Sequence, residues 1–102
     1  MQLDLAGKTA LVTGSTRGIG RAIAEVLHGE GCRVVLNGRN IDDLASTSAK
    51  LPGTMAVAGD VTRPDEARRV VADAVGLLGG LDILICNVGS GRAVPPGEET
   101  YD

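Results

Sequence analysis

Three glycines standing between an apolar run and a helical pattern are the first place in this chain where residue types and spacing could do chemistry. The sequence reads Thr13-Gly14-Ser15-Thr16-Arg17-Gly18-Ile19-Gly20, directly after Thr9-Ala10-Leu11-Val12. A strand that ends in such a turn and passes into a helix is suited to holding phosphate. Gly14 permits the tight turn off the strand, Gly18 lets the backbone come close to a pyrophosphate, and Gly20 lets the new helix lie close on the sheet. The first turn of that helix offers unpaired N–H groups and the positive end of the helix dipole, which favour an anion. Glycine-rich turns are common; the strand before this one and the helix after it supply the required context.

Few other side chains offer chemistry. His28, the only histidine, stands at a helix end before Gly29 and reads as a surface residue or a partner of the C-terminal dipole. Asp42 and Asp43 fall in a first helical turn, where carboxylates are favoured electrostatically. Ser46, Thr47 and Ser48 form a polar helix face with no base at hand to activate a nucleophile. Cys32 enters one apolar run and Cys86 leaves another. If those runs flank a third strand in one parallel sheet, the cysteines lie about 9–10 Å apart at opposite ends. A disulfide needs Cα atoms within ~7 Å, so buried free thiols are expected. Two cysteines without nearby histidines make no metal site.

The elements that must position the glycine turn alternate along the chain. Lys8 to Val12 reads as a strand, and Gly18 to His28 as a helix with Ile19, Ile23, Val26 and Leu27 on one face, stopped by Gly29 and Gly31. Arg33 to Asn37 is a second strand. Asn40 caps a helix bearing Ile41, Leu44, Ala45 and Ser48 on one face, closed by Pro52-Gly53. Thr54 to Ala58 is a third strand. Pro64 opens a third helix whose stripe is Ala67, Val70, Val71, Ala74, Val75 and Leu78, ended by Gly79-Gly80, and Leu81 to Cys86 form a fourth strand. Apolar strands separated by helices imply a parallel α/β sheet covered on both faces. Right-handed crossovers favour a doubly wound order 3-2-1-4, with the switch point between strands one and four above the glycine turn.

The bulk numbers bound this picture. At 102 residues the chain is one domain at most, and its 43% hydrophobic and 23% charged content is that of a globular chain. A net charge of −3 gives no general attraction to nucleic acid or an anionic membrane, so Arg17, Arg21 and Arg39 are local features against an acidic background. No apolar stretch reaches the ~20 residues of a membrane helix. Met1-Gln2-Leu3-Asp4-Leu5 lacks the apolar centre of a signal peptide, so a cytoplasmic protein is expected.

Three motifs now stand in order: Thr13-Gly14 to Gly18-Ile19-Gly20, then Gly59-Asp60-Val61, then Asn87-Val88-Gly89. Together they resemble the classical branch of the short-chain dehydrogenase/reductase family, from about Leu3 to Gly91. The resemblance implies a Rossmann-type fold, present here as a single partial dinucleotide-binding domain over 1–102 with a loop-like tail over 89–102. It implies that the loop (Gly14, Ser15, Thr16, Arg17, Gly18, Ile19, Gly20) lines the phosphate and ribose side of the cofactor. By the same likeness Asp60 accepts from the adenine amino group with Val61 beside it, and Asn87 and Gly89 sit against the adenine-side ribose. The family usually shows two asparagines, an alanine and a glycine where this chain has Cys86-Asn87-Val88-Gly89. Cys86 lacks a hydrogen-bonding amide, and Val88 adds bulk beside the cofactor.

The end of the second strand bears on which cofactor. An NAD-preferring site places a carboxylate there, roughly 20 residues beyond the glycine loop, to hydrogen-bond the ribose hydroxyls. This chain has Gly38-Arg39. An arginine binds a 2′-phosphate through its planar fork, where a carboxylate would repel it. Arg17 resembles the second basic position of NADP-preferring members, so NADP(H) is expected over NAD(H). ATP fits poorly, since the loop lacks a Gly-Lys-Ser/Thr ending.

The family's chemistry uses a tyrosine and a lysine in a Tyr-x-x-x-Lys segment, where the lysine lowers the pKa of the proton-donating phenol. Tyr101 is the only tyrosine and no lysine follows it at that spacing, so no catalytic residue is assigned. The expected function is the NADP(H)-binding portion of a short-chain oxidoreductase truncated before its catalytic residues. A stand-alone nucleotide-binding or sensing module is the alternative. The carbonyl or alcohol substrate would be met only by a full-length form. Leu81-Asp82-Ile83-Leu84-Ile85 has no following strand or helix to cover it, which favours the first reading and predicts self-association through uncovered sheet.

Overall fold

Residues 5–87 are described in the computed structural model of the chain. Val88, Gly89 and the expected tail over 89–102 lie outside the described residues. The elements run β1 (Thr9–Val12), α1 (Gly18–Gly29), β2 (Arg33–Gly38), α2 (Ile41–Lys50), β3 (Met55–Ala58), α3 (Pro64–Leu78) and β4 (Ile83–Ile85). The strands form one parallel sheet in the order β3-β2-β1-β4, the expected doubly wound arrangement. Leu11 at its centre stands opposite Val35 on one side and Leu84 on the other.

β1, β2 and β3 split their side chains between two cores on opposite faces of the pleated sheet. Ala10, Val12, Val34 and Leu36 face α1 and α2, where Ala24, Leu27 and Leu44 complete the layer. Leu11, Val35 and Val57 face α3, which supplies Val70, Ala74 and Leu78. Ala10, Leu11 and Val12 are wholly buried, which is why the β1 run is apolar throughout instead of alternating. Burying side chains of this size is worth about 1.5–3 kcal/mol each.

The buried faces of α1 and α2 are rotated from those expected, and that of α3 is the expected stripe made narrower. In α1 the buried line is Gly20, Ala24 and Leu27, while Ile19 and Val26 are 72% and 59% exposed. Gly20 explains the rotation: a Cβ there would run into the Gly14 carbonyl and the Asn87 carboxamide, so this side of the helix sits flush on the strand ends. In α2, Leu44 and Thr47 are buried and Ile41 and Ala45 are exposed. Ser48 is half-buried, its hydroxyl donating to Thr54 O at 3.2 Å. In α3 the buried residues Val70, Ala74 and Leu78 follow i, i+4, i+8, and Val75 turns outward.

β4 is shorter than the expected Leu81 to Cys86. The chain enters it through side-chain bonds, with Asp82 N–H donating to Thr9 Oγ1 at 2.9 Å and the Asp82 carboxylate accepting from Thr9 N–H at 2.9 Å. Cys86 follows the last laddered pair, Val12 with Ile85, and is exposed; Cys32 is buried as expected, and both thiols are free. His28 donates from Nε2 to Pro52 O at 2.7 Å, tying the end of α1 to the loop before β3 instead of to its own helix carbonyls. Among the described residues no helix is long and apolar enough to cross a membrane.

Candidate dinucleotide site

The parallel strands all end at one edge, and the glycine loop turns there between β1 and α1. Gly14 and Gly18 take φ of +58° and +63°, a region open at low cost only to glycine. They serve different ends. A Cβ on Gly14 would strike the Asn87 carbonyl, whereas one on Gly18 would meet nothing, so Gly18 presents bare backbone to open space.

The N-terminus of the helix behind the loop differs from those of the other two helices. α2 is capped by Asn40, whose Oδ1 accepts from Asp43 N–H at 3.0 Å, and has Asp42 and Asp43 in its first turn. α3 has Asp65 and Glu66 in its first turn. α1 alone among these three has neither a capping side chain nor an acid there, and its N-cap residue is Arg17. No side chain of the helix's own first turn offsets its first N–H groups and the positive end of its dipole.

The strand ends hold the loop in place. Asn87 N–H donates to Thr13 Oγ1 at 2.8 Å and Asn87 Nδ2 donates to Gly14 O at 3.3 Å, fastening the end of β4 onto the loop. Ser15 is fully buried beneath the loop; its N–H donates to Asn37 O at 2.8 Å and its Oγ accepts from Asn37 N–H at 2.9 Å. Gly38 is buried as well, and a Cβ there would press on Thr16 Cγ2 at 2.9 Å.

A cleft of about 850 Å³ opens over these strand ends, within the size range of small-molecule sites. Of the residues singled out in the sequence, Gly14, Thr16, Arg17, Gly18 and Ile19 line its loop side. Arg39, Asp60, Val61 and Asn87 line the rest. Ser15 and Gly20 lie behind this surface as its support. Val88 and Gly89 fall outside the described residues.

Two of the cleft carboxylates have close partners. Asp60 Oδ1 accepts from the Thr62 hydroxyl at 2.5 Å and the Thr62 N–H at 3.0 Å. These bonds hold its carboxyl below the usual carboxylate range, with Arg39 and Arg63 adding to the effect. Arg17 Nη2 lies 3.5 Å from Asp43 Oδ2, beside a polar notch of about 240 Å³ lined by Thr16, Arg21, Ser46 and Thr47.

Sequence reasoning missed Asn37, Asn40, Asp43 and Thr62 as cleft residues. Asn37 did carry a signal, an amide closing the apolar run Val34-Val35-Leu36, because a polar group buried in a strand must find partners.

A parallel sheet in the order 3-2-1-4 with a glycine loop at its switch point defines a Rossmann-type fold. The family model for short chain dehydrogenase matches residues 8–101, and the chain belongs to that family, oxidoreductases that bind a nicotinamide dinucleotide. It is 45% identical over 89 residues to glucose 1-dehydrogenase of Gluconobacter oxydans (strain 621H), covering 82% of this chain and 34% of that enzyme. Its fold superposes with a TM-score of 0.79 on YwfH, an NADPH dependent reductase involved in bacilysin biosynthesis, at 29% identity, covering 85% of this chain and 39% of that one. It also superposes, with a TM-score of 0.75 and 28% identity, on a short chain dehydrogenase/reductase from Burkholderia phymatum in complex with NAD, covering 81% of this chain and 31% of that one. The chain spans 34% of the length of the first of these relatives.

Proposed function

We propose that this chain is the NADP(H)-binding portion of a short-chain oxidoreductase, in which hydride passes between the cofactor and an alcohol or carbonyl substrate. The single observation that carries the choice of cofactor is the end of β2. A buried glycine, where a Cβ would press on the Thr16 side chain, is followed by the cleft-lining Arg39. An acid that would grip a free ribose 2′-hydroxyl is missing from β2's end, and a planar cation suited to a 2′-phosphate borders the cleft.

Bound there, the cofactor supplies the hydride; the chain's own residues bind and orient it. Gly14 and Gly18 bring backbone to the pyrophosphate, and the uncapped α1 terminus adds its dipole. Arg39 and Arg17 take the 2′-phosphate. Asp60, with its pKa held low, stays a hydrogen-bond acceptor for the adenine amino group, next to Val61. Asn87 stands on the ribose side, and Ile19 lines the loop side of the cleft. One solved relative is described as NADPH dependent and another is in complex with NAD, so the fold alone does not choose; the β2 end supports the NADP(H) reading. A cytoplasmic location goes with this reading.

Proton transfer is assigned to no residue in the 102, since the sequence holds no Tyr-x-x-x-Lys segment. A fluorescence titration with NADPH beside an assay of carbonyl reduction separates the two steps. Saturable binding without turnover is expected; turnover by this chain would contradict the assignment.

A further inference from the structure

The carboxamide of Asn37 spans three strand ends. Its Oδ1 accepts from the Gly14 N–H at 3.3 Å, while its Nδ2 donates to Val57 O at 3.0 Å and Gly59 O at 3.2 Å. The side chain is 1% exposed, and its backbone is locked reciprocally to Ser15. The amide fits one way round. Reversed, its oxygen would face two carbonyls and its NH2 an N–H.

The two groups it joins belong to different halves of the cleft. Gly14 begins the glycine loop, and Gly59 immediately precedes Asp60 and Val61. We infer that Asn37 is a positioning residue that sets the spacing between the phosphate loop and the Asp60–Val61 wall, so that one dinucleotide reaches both at once. A hydrophobic residue would fill the space without tying either side, and an acid would turn two donors into acceptors facing carbonyls. Serine is too short to span from β2 to both neighbours. The inference rests on the dinucleotide reading above, and the outcomes below separate the two.

The test compares Asn37→Ser and Asn37→Ala, both uncharged, with the unaltered chain. Two probes are used: NADPH, which must set its pyrophosphate on the Gly14 and Gly18 backbone while its adenine meets the wall, and adenosine 2′-monophosphate, which has no pyrophosphate to set there. Affinities are corrected for the folded fraction read from thermal melts. Loss of NADPH affinity by about tenfold or more, with 2′-monophosphate affinity changed by less than about threefold, is expected. Equal loss of both probes would overturn the positioning role and leave the cofactor reading intact. So would loss of the cooperative melt in both variants, which would make the amide a brace of the fold and nothing more. Failure of the unaltered chain to bind NADPH would overturn both.

Discussion

Arg39 decides more of the proposed chemistry than any other single side chain. Replacing it with aspartate removes a cation from the 2′-phosphate and offers a carboxylate to a 2′-hydroxyl. Arg39→Asp is expected to cost NADPH about tenfold or more, the scale of one charge-assisted contact of 1.5–3 kcal/mol, with little loss for NADH. Asp43 acts in the opposite sense, because its carboxylate occupies Arg17 at 3.5 Å. Asp43→Asn is therefore expected to tighten NADPH modestly, the pair being largely exposed and screened, and Arg17→Ala should abolish that gain. Gly20 tests the loop. Gly20→Ala adds a Cβ against the Gly14 carbonyl and the Asn87 carboxamide, with an expected loss of about 1–3 kcal/mol from overpacking, checked by denaturant melts. Gly76, in α3 with open space around it, is the control: Gly76→Ala should gain about 0.5–1 kcal/mol.

Element by element, β4 is the part of the sheet held most by side chains. The Asp82 carboxylate accepts from the Thr9 N–H and hydroxyl, and these bonds, with Lys8 nearby, hold its pKa low. A group whose folded pKa is depressed lends stability above its unfolded value, about 4 for aspartate, and loses it as pH falls through the folded value. The melting temperature should hold steady down to about pH 5 and decline below about pH 4, with Asp60 contributing in the same direction. Asp82→Asn should flatten the decline. The elements themselves were legible in the sequence because apolar runs, glycine stops and the Asn40 cap all fall where the local rules put them. Helix rotation was not, since it depends on how closely Gly20 approaches the strand ends, a contact between residues far apart in sequence. The cleft's loop side was legible from glycine spacing and its far wall from Asp60. Asn37, Asn40 and Asp43 became site residues only when parallel pairing brought the ends of β2 and β3 beside the loop.

At the scale of the molecule, α3 covers one face of the described sheet alone, and Leu84 of β4 is 46% exposed on the edge. The isolated 102-residue chain is expected to self-associate through that edge, seen as a concentration-dependent rise in mass by light scattering; a clean monomer with a cooperative melt would favour a self-standing nucleotide-binding module. Thiol chemistry reports on the same packing. Cys86 should be alkylated in the native state, whereas Cys32, buried and with its pKa pushed up by that burial and by the Glu30 and Asp82 carboxylates, should react only on unfolding. The proposed function depends on the cleft receiving a 2′-phosphorylated dinucleotide. Parallel titrations of the unaltered chain with NADPH and NADH test that most directly. Tighter binding of NADPH, by about tenfold or more, that weakens as salt is raised is the expected result; equal or tighter binding of NADH would contradict it.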